Sequence, residues 1–337
     1  MDLVTVPDIR AAADRIRDAT VRTPLLPCPW AGGPGSLWVK PESLQAVGAF
    51  KIRGALNALA RLDTERRRRG VVAYSSGNHA RAVAAAARAA GVRAHVVMPD
   101  STPQVKIDGT RAYGAEVVLC GPGEREAVAG RLVTELGAEL VPPFDHPDVI
   151  AGQGTVGLEI AADLPDVGVV LVPVSGGGLA AGVGTAVRAL CPRVRVVGVE
   201  PELAADAREG LHTGRRVDWP VADRARTMAD GLRAQPSELT FAHLRAVLDD
   251  IVTVGEDEIR AAMALLARHG GLVAEPSGAV ATAAWLFRAP RLPDGPAVAV
   301  VSGGNVDPAL LAEVLSTTPD GLPSRTAAVS GSGGVDR

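Results

Sequence analysis

The sequence reads as an α/β fold built on open, mainly parallel sheets, and two observations carry this. Short valine-rich runs alternate with alanine-rich stretches of helical spacing along most of the 337 residues. The valine runs are apolar at nearly every position rather than alternating, as a parallel sheet covered on both faces requires. Six runs read as strands: residues 71–74, 94–98, 116–119, 169–174, 194–199 and 297–301, each bounded by Gly, Pro or polar residues. Between them the spacing predicts helices over 78–90, 102–113, 124–136, 152–164, 179–190, 256–269 and 278–287. Folds of this class bind ligands at the carboxyl ends of their strands.

The length suggests about two domains at roughly 150 residues each. Lys+Arg number 35 and Asp+Glu 38, a formal net charge of -3, so the chain lacks the basic surplus of a nucleic-acid binder. Hydrophobic residues make up 47% and charged residues 22%, enough apolar surface for a core and too much for a disordered chain. Only three lysines occur, Lys40, Lys51 and Lys106, so chemistry that needs an amine has three candidates. Cys28, Cys120 and Cys191 are far apart, with no zinc-ligand or disulfide spacing. The N-terminal residues show no signal pattern, and no apolar run is long enough to span a membrane. A reduced, cytoplasmic setting is the expectation. The run Glu65–Arg69 (ERRRR) reads as a helix end with arginines at the negative pole, or as a phosphate site. From about Thr317 onward, Gly, Ser, Thr and Pro dominate, which predicts a mobile tail over 317–337.

Four segments carry chemistry. GAFKIRG (48–54) places Lys51 before a helical pattern; a partly desolvated lysine can form a Schiff base, whereas a snorkelling surface lysine is the alternative. SSGNHA (75–80) joins a strand to a helix and offers hydroxyls and amides to a carboxylate, or simply caps the helix. SGGGL (175–179) also joins strand to helix. Its three glycines let successive N–H groups close on a phosphate, or make a tight turn. It is neither a dinucleotide fingerprint nor a Walker loop. SGGN (302–305) puts a hydroxyl, Ser302, at another strand's carboxyl end, where it could reach a ring nitrogen.

In this order and spacing the four segments resemble the serine/threonine dehydratase and serine racemase family of pyridoxal-phosphate enzymes, of fold type II and tryptophan-synthase-β-like. The resemblance extends over residues 7–315 and includes KPESLQ (40–45), PFDHPDVIAGQGT (143–155), VTVGEDEI (252–259) and EPSGA (275–279). It implies that Lys51 carries the cofactor and takes the substrate α-proton, with Phe50 packed beside the ring. Ser175, Gly176, Gly177, Gly178 and Leu179 then match the phosphate cradle. Asn78 matches the partner of the 3-hydroxyl, Ser302 the partner of the pyridine nitrogen, and Glu275 an acidic residue near the ring. Ser75, Ser76, Gly77 and His79 lie in the substrate-carboxylate loop. Arg125 matches a position near the substrate that could receive a β-carboxylate. Glu200 and Asp206 with the Ala204 carbonyl resemble a Mg²⁺ or Ca²⁺ site, and alone would read as exposed carboxylates after a strand.

The resemblance implies an ammonia-lyase that converts a small β-hydroxy-L-amino acid (serine, threonine or threo-3-hydroxyaspartate) to a 2-keto acid and ammonia. A hydroxyl at the ring nitrogen favours prompt loss of the β-hydroxyl over a long-lived carbanion. A serine racemase with side elimination activity is the second reading, because Ser76 offers a hydroxyl on the face opposite the lysine. A ligand-binding protein that kept the fold without the chemistry is the third. Ala49 stands where the family often has Ser, and SSGNHA mixes dehydratase and racemase patterns. Phe144 replaces a polar residue of mammalian-type racemases, and looks more like a dehydratase. The expected layout is a large cofactor-binding domain (1–69 and 147–316) and a small closing domain (70–146), in a homodimer without nucleic-acid or membrane partners.

Overall fold

Strands at 169–173 and 297–301 are buried at every position, so both sheet faces around them are covered. The computed structural model describes residues 2–32, 35–288, 292 and 295–318. The chain opens with α1 (Val6–Ile16), β1 (Leu26–Pro27), β2 (Leu37–Pro41), α2 (Lys51–Ala60) and α3 (Thr64–Arg69). There follow β3 (Val71–Tyr74), α4 (Asn78–Ala90), β4 (Ala94–Pro99), α5 (Gln104–Arg111), β5 (Glu116–Cys120), α6 (Arg125–Leu136) and β6 (Glu139–Leu140). Strands β3–β6 form a four-stranded, wholly parallel sheet in the order β5-β4-β3-β6.

The chain then runs through α7 (Pro147–Asp163), β7 (Val169–Pro173), α8 (Gly178–Leu190), β8 (Arg195–Pro201), α9 (Asp206–Thr213), α10 (Val221–Arg224) and α11 (Glu238–Val247). It ends with β9 (Asp250–Val254), α12 (Glu256–Gly270), α13 (Pro276–Arg288), β10 (Ala297–Val301) and α14 (Pro308–Thr317). The second sheet has six strands in the order β1-β2-β10-β7-β8-β9, parallel except where β1 meets β2. Every run read as a strand from the sequence is one. Strands β1, β2, β6 and β9 were not anticipated, and α7 starts at Pro147 rather than 152. His146 caps it by accepting from Asp148 N, and proline suits its first position. The arginine run ends α3, a short helix whose N-cap is Asp63. Of the expected tail, residues 319–337 lie outside the described residues, and Thr317 closes α14. Among the described residues, no helix is long and apolar enough to cross a membrane.

Helix α7 is the spine that positions the rest. A Cβ on Gly182 of α8 would sit 2.4 Å from Ile150 O, and one on Gly152 would sit 2.6 Å from Arg53 O of α2. Glycine at both contacts therefore lets α7 press against α8 on one side and α2 on the other. Beneath this packing lies a buried charge cluster. Arg53, 1% exposed, donates to Glu42 at 2.7 and 2.8 Å and to Glu159 at 2.7 and 2.9 Å. Lys40, completely buried on β2, pairs with Glu159 at 2.6 Å and also donates to Thr23 O. Burial pushes the Lys40 pKa down, and Glu159 partly offsets it. Around Arg53 the two carboxylates outweigh burial and hold its charge. All three cysteines are free and buried, and burial raises each thiol's pKa.

Candidate active site

Three helices begin within segments singled out in the sequence: α2 at Lys51, α4 at Asn78 and α8 at Gly178. None has a capping side chain. The first-turn amides of a helix lack intrahelical acceptors and carry partial positive charge, so uncapped starts suit anions. The stretch Val141–Phe144 touches all three. Val141 O accepts from His79 Nε2 at 2.8 Å, and Pro143 O accepts from Lys51 Nζ at 2.7 Å. Phe144 lies against the glycine turn: a Cβ on Gly176 would meet its Cδ1 at 2.2 Å, and one on Gly178 its Cβ at 3.0 Å. Gly177 completes the turn at φ 87°, a conformation natural to glycine. Burial lowers the Lys51 pKa to about 8, and its ammonium is 5.0 Å from the Phe50 ring centroid.

The SGGN segment is bolted to the lysine turn by backbone hydrogen bonds. Phe50 N donates to Ser302 O at 3.0 Å, Gly304 N donates to Gly48 O at 2.9 Å, and Ala49 and Gly303 form a bridge. A polar network grows from there. Asn78 Nδ2 donates to Glu275 Oε1 at 2.6 Å. Asn305 Nδ2 donates to Asn78 Oδ1 and to Val47 O, each at 2.8 Å, and Arg81 Nη1 donates to Asn305 Oδ1 at 3.1 Å. Burial, with the Asp230 charge behind it, raises the Glu275 pKa to about 7, against the pull of Asn78, Lys106 and Arg81. Lys106 of α5 pairs with Asp230 at 3.0 Å. A Cβ on Gly303 would lie 2.3 Å from Glu275 Oε1, so a side chain there would displace the carboxylate that meets Asn78.

The remaining residues named from the sequence fall into three groups. Ser175 Oγ donates to Ala234 O and accepts from Ala234 N, both at 3.1 Å, which braces the glycine turn. Leu179 is buried on α8. Ser302 is buried with only a long 3.4 Å contact from its hydroxyl to Ser277 O. In the 75–79 loop, Ser75 Oγ accepts from Gly77 N at 3.2 Å. Among the described residues no hydrogen bond is made by Ser76 Oγ. The His79 ring points into the interior, 3% exposed. Arg125 is the first residue of α6. It pairs with Glu126 at 2.7 Å and lies 5.8 Å over the Tyr74 ring, at the end of the strand that feeds the loop.

Glu200, Ala204 and Asp206 gather separately, between β8 and α9. Both carboxylates are buried rather than exposed. Glu200 accepts from Ala207 N at 3.2 Å and Arg208 N at 2.8 Å. Burial raises the pKa of both acids, Asp206 to about 7, and the Asp206 charge adds to the effect at Glu200. Asp206 Oδ2 is buried without a partner. Among the described residues no group of three or more His, Cys, Asp or Glu side chains could hold a metal. Sequence reasoning missed Asn305, Arg81 and the Pro143 carbonyl. Asn305 had a signal, as the last residue of SGGN; a backbone carbonyl leaves none.

Comparison with known proteins agrees with this geometry. The family model for pyridoxal-phosphate dependent enzymes matches residues 16–303. An L-threonine ammonia-lyase of Geobacter sulfurreducens is 44% identical over 306 residues, spanning 89% of this chain and 75% of that protein. The L-threo-3-hydroxyaspartate ammonia-lyase of Saccharomyces cerevisiae is 37% identical over 326 residues, 95% and 99% of the two chains. The structure of maize serine racemase superposes with a TM-score of 0.89 at 36% identity, covering 94% of this chain and 98% of that one. The matched region contains Lys51, the three helix starts and the 175–179 glycine turn, and this chain belongs to the pyridoxal-phosphate-dependent enzymes.

Proposed function

We propose that the chain is an ammonia-lyase that takes a small β-hydroxy-L-amino acid, serine, threonine or threo-3-hydroxyaspartate, to a 2-keto acid and ammonia. The observation that carries this reading is Lys51: a half-buried amine with a lowered pKa, at one of three uncapped helix starts. Similarity to ammonia-lyases over most of the chain supports it.

The residues fit pyridoxal phosphate. The glycine turn is crowded by Phe144, at 2.2 Å from a Cβ on Gly176 and 3.0 Å from one on Gly178, and it delivers an uncapped helix start, which suits a phosphate. When bound, the cofactor supplies an electron-withdrawing ring that acidifies the substrate α-carbon. Gly176, Gly177, Gly178 and Leu179 would hold the phosphate through their amides, with Ser175 bracing the turn. Ser302 Oγ would meet the ring nitrogen, Asn78 the 3-hydroxyl, and Phe50 and Glu275 the ring surroundings. Ser75, Ser76 and Gly77 would bind the substrate carboxylate with hydroxyls and amides. Burial lowers the Lys51 pKa to about 8, which eases loss of its proton, and as the free amine Nζ can take the α-proton. Arg125, beside Tyr74, would receive the second carboxylate of an acidic substrate.

A racemase must also deliver a proton from the opposite face, and Ser76 is the hydroxyl available. Among the described residues it has no hydrogen-bonded base, which favours elimination. Incubation with L-serine, L-threonine and L-threo-3-hydroxyaspartate, with chiral analysis of the amino acid, tests this. Keto acid and ammonia should dominate; a predominance of D-serine would make the protein a racemase.

The same reading includes Mg²⁺ or Ca²⁺ at Glu200, Asp206 and the Ala204 carbonyl, supported by the partnerless buried oxygen of Asp206. Loss of thermal stability on chelation, restored by either ion, is the check. It also includes a cytoplasmic homodimer with domains at 1–69 with 147–316 and at 70–146, tested by sedimentation and limited proteolysis.

A further inference from the structure

We propose that His79 is a positioning residue for Lys51, acting through the backbone of residues 141–143. Its ring is 3% exposed and bonds to Val141 O at 2.8 Å. A carbonyl can only accept, so Nε2 carries the hydrogen and Nδ1 is left as a bare acceptor. That Nδ1 is buried and has no partner. Burial and the Lys51 charge press the ring's pKa to about 3, so the imidazole is neutral and the tautomer fixed in the working range. A packing residue alone would not need this cost; the ring keeps its place through one directed hydrogen bond to Val141.

Two residues further on, Pro143 O holds the Lys51 amine at 2.7 Å. Pro142 and Pro143 have fixed φ angles, so fewer free torsions separate the two carbonyls than across two other residues. A shift at Val141 is therefore passed to the acceptor of Lys51. The next residue, Phe144, closes on Gly176 and Gly178, so the same four residues register the lysine, the 75–79 loop and the glycine turn. Proton transfer demands close alignment of the reacting amine, and small misplacements are costly.

This inference rests on the ammonia-lyase reading, and the two fail differently. If wild-type holoenzyme releases no keto acid, that reading falls. The inference is tested by His79→Leu, which removes the hydrogen bond, and His79→Gln, whose amide can replace the Nε2 donor. In His79→Leu holoenzyme kcat should fall by about 10- to 100-fold with KM little changed. Hydroxylamine should strip the cofactor faster than from wild type, and His79→Gln should recover most of both properties. Unchanged kcat, a rise in KM alone, or equal damage in both variants would overturn the proposal. If His79→Leu does not fold, His79→Gln decides: near wild-type kcat and stripping rate support it, and a loss of about 100-fold overturns it.

Discussion

Asn78 and Glu275 meet at 2.6 Å, although one starts a helix of the four-stranded half and the other precedes a helix packed on the six-stranded sheet. They are 197 positions apart in the chain. The two halves are thus joined at the site by a directed polar contact, with Asn305 and Arg81 extending it. Lys106 and Asp230 add a second link between the same halves.

Glu275 makes the molecule's stability sensitive to pH. Its value in the folded protein, about 7, lies above the usual 4.5, because burial and then Asp230 disfavour the charge. The folded chain therefore holds a proton that the unfolded chain releases, and stability falls as pH rises from 4.5 to about 7. Glu275→Gln keeps an acceptor for Asn78 and removes this titration. Relative to wild type, the variant should gain up to about 3 kcal/mol across that window. Urea unfolding below and above the window measures it; a difference independent of pH would refute it.

Lys51→Ala should lower keto acid release by at least about 100-fold, since no other amine can replace it. Lys40 is sealed in the core and Lys106 is engaged with Asp230. Borohydride reduction of the wild-type holoenzyme followed by peptide mass analysis should place the cofactor on Lys51. Label on Lys106 would contradict the assignment.

Gly176→Ala would put a methyl group 2.2 Å from the Phe144 ring, so one of them must move. Overpacking of this kind costs about 1–3 kcal/mol. Bound cofactor per chain, read from visible absorbance, should drop, and Phe144→Ala in the same chain should restore it. Full loading of the single variant would show that Phe144 moves freely.

Arg53→Met leaves Glu42 and Glu159 without their main partner in the interior. Breaking a buried pair from one side costs about 3–5 kcal/mol. The urea midpoint should fall accordingly. A loss below about 1 kcal/mol would mean that these carboxylates are effectively solvated.

The central strands were legible because β7 and β10 are apolar at every position, a pattern that needs no tertiary information. Strand β2 was hidden by Lys40, which reads as a surface residue until Thr23 and Glu159 are seen to enclose it. Strand β9 lies at the sheet edge and opens on the exposed Asp250, with a polar Thr253 breaking its apolar run. The expected α7 began at Gly152, and the missed residues 147–151 open on Pro147, which suits a first helical turn once His146 caps it. At the site, the glycine turn shows in the sequence as three consecutive glycines between a strand and a helix, whereas Lys51 stands out only through the resemblance that GAFKIRG carries. The burial of the His79 ring and of Glu200 and Asp206 does not show there, because neither depends on local sequence.

The fate of the three lysines has a practical consequence. With Lys40 enclosed and Lys51 held inside the site, Lys106 is the side-chain amine left for crosslinkers, dyes and resin coupling. Acylating it erases the charge that meets Asp230. A preparation immobilised through its lysines would thus be tethered at the seam between its two sheets, and its behaviour on the support would report a severed link rather than the native protein. Tethering through an engineered cysteine on α3, far in sequence from either partner of that link, would leave it intact.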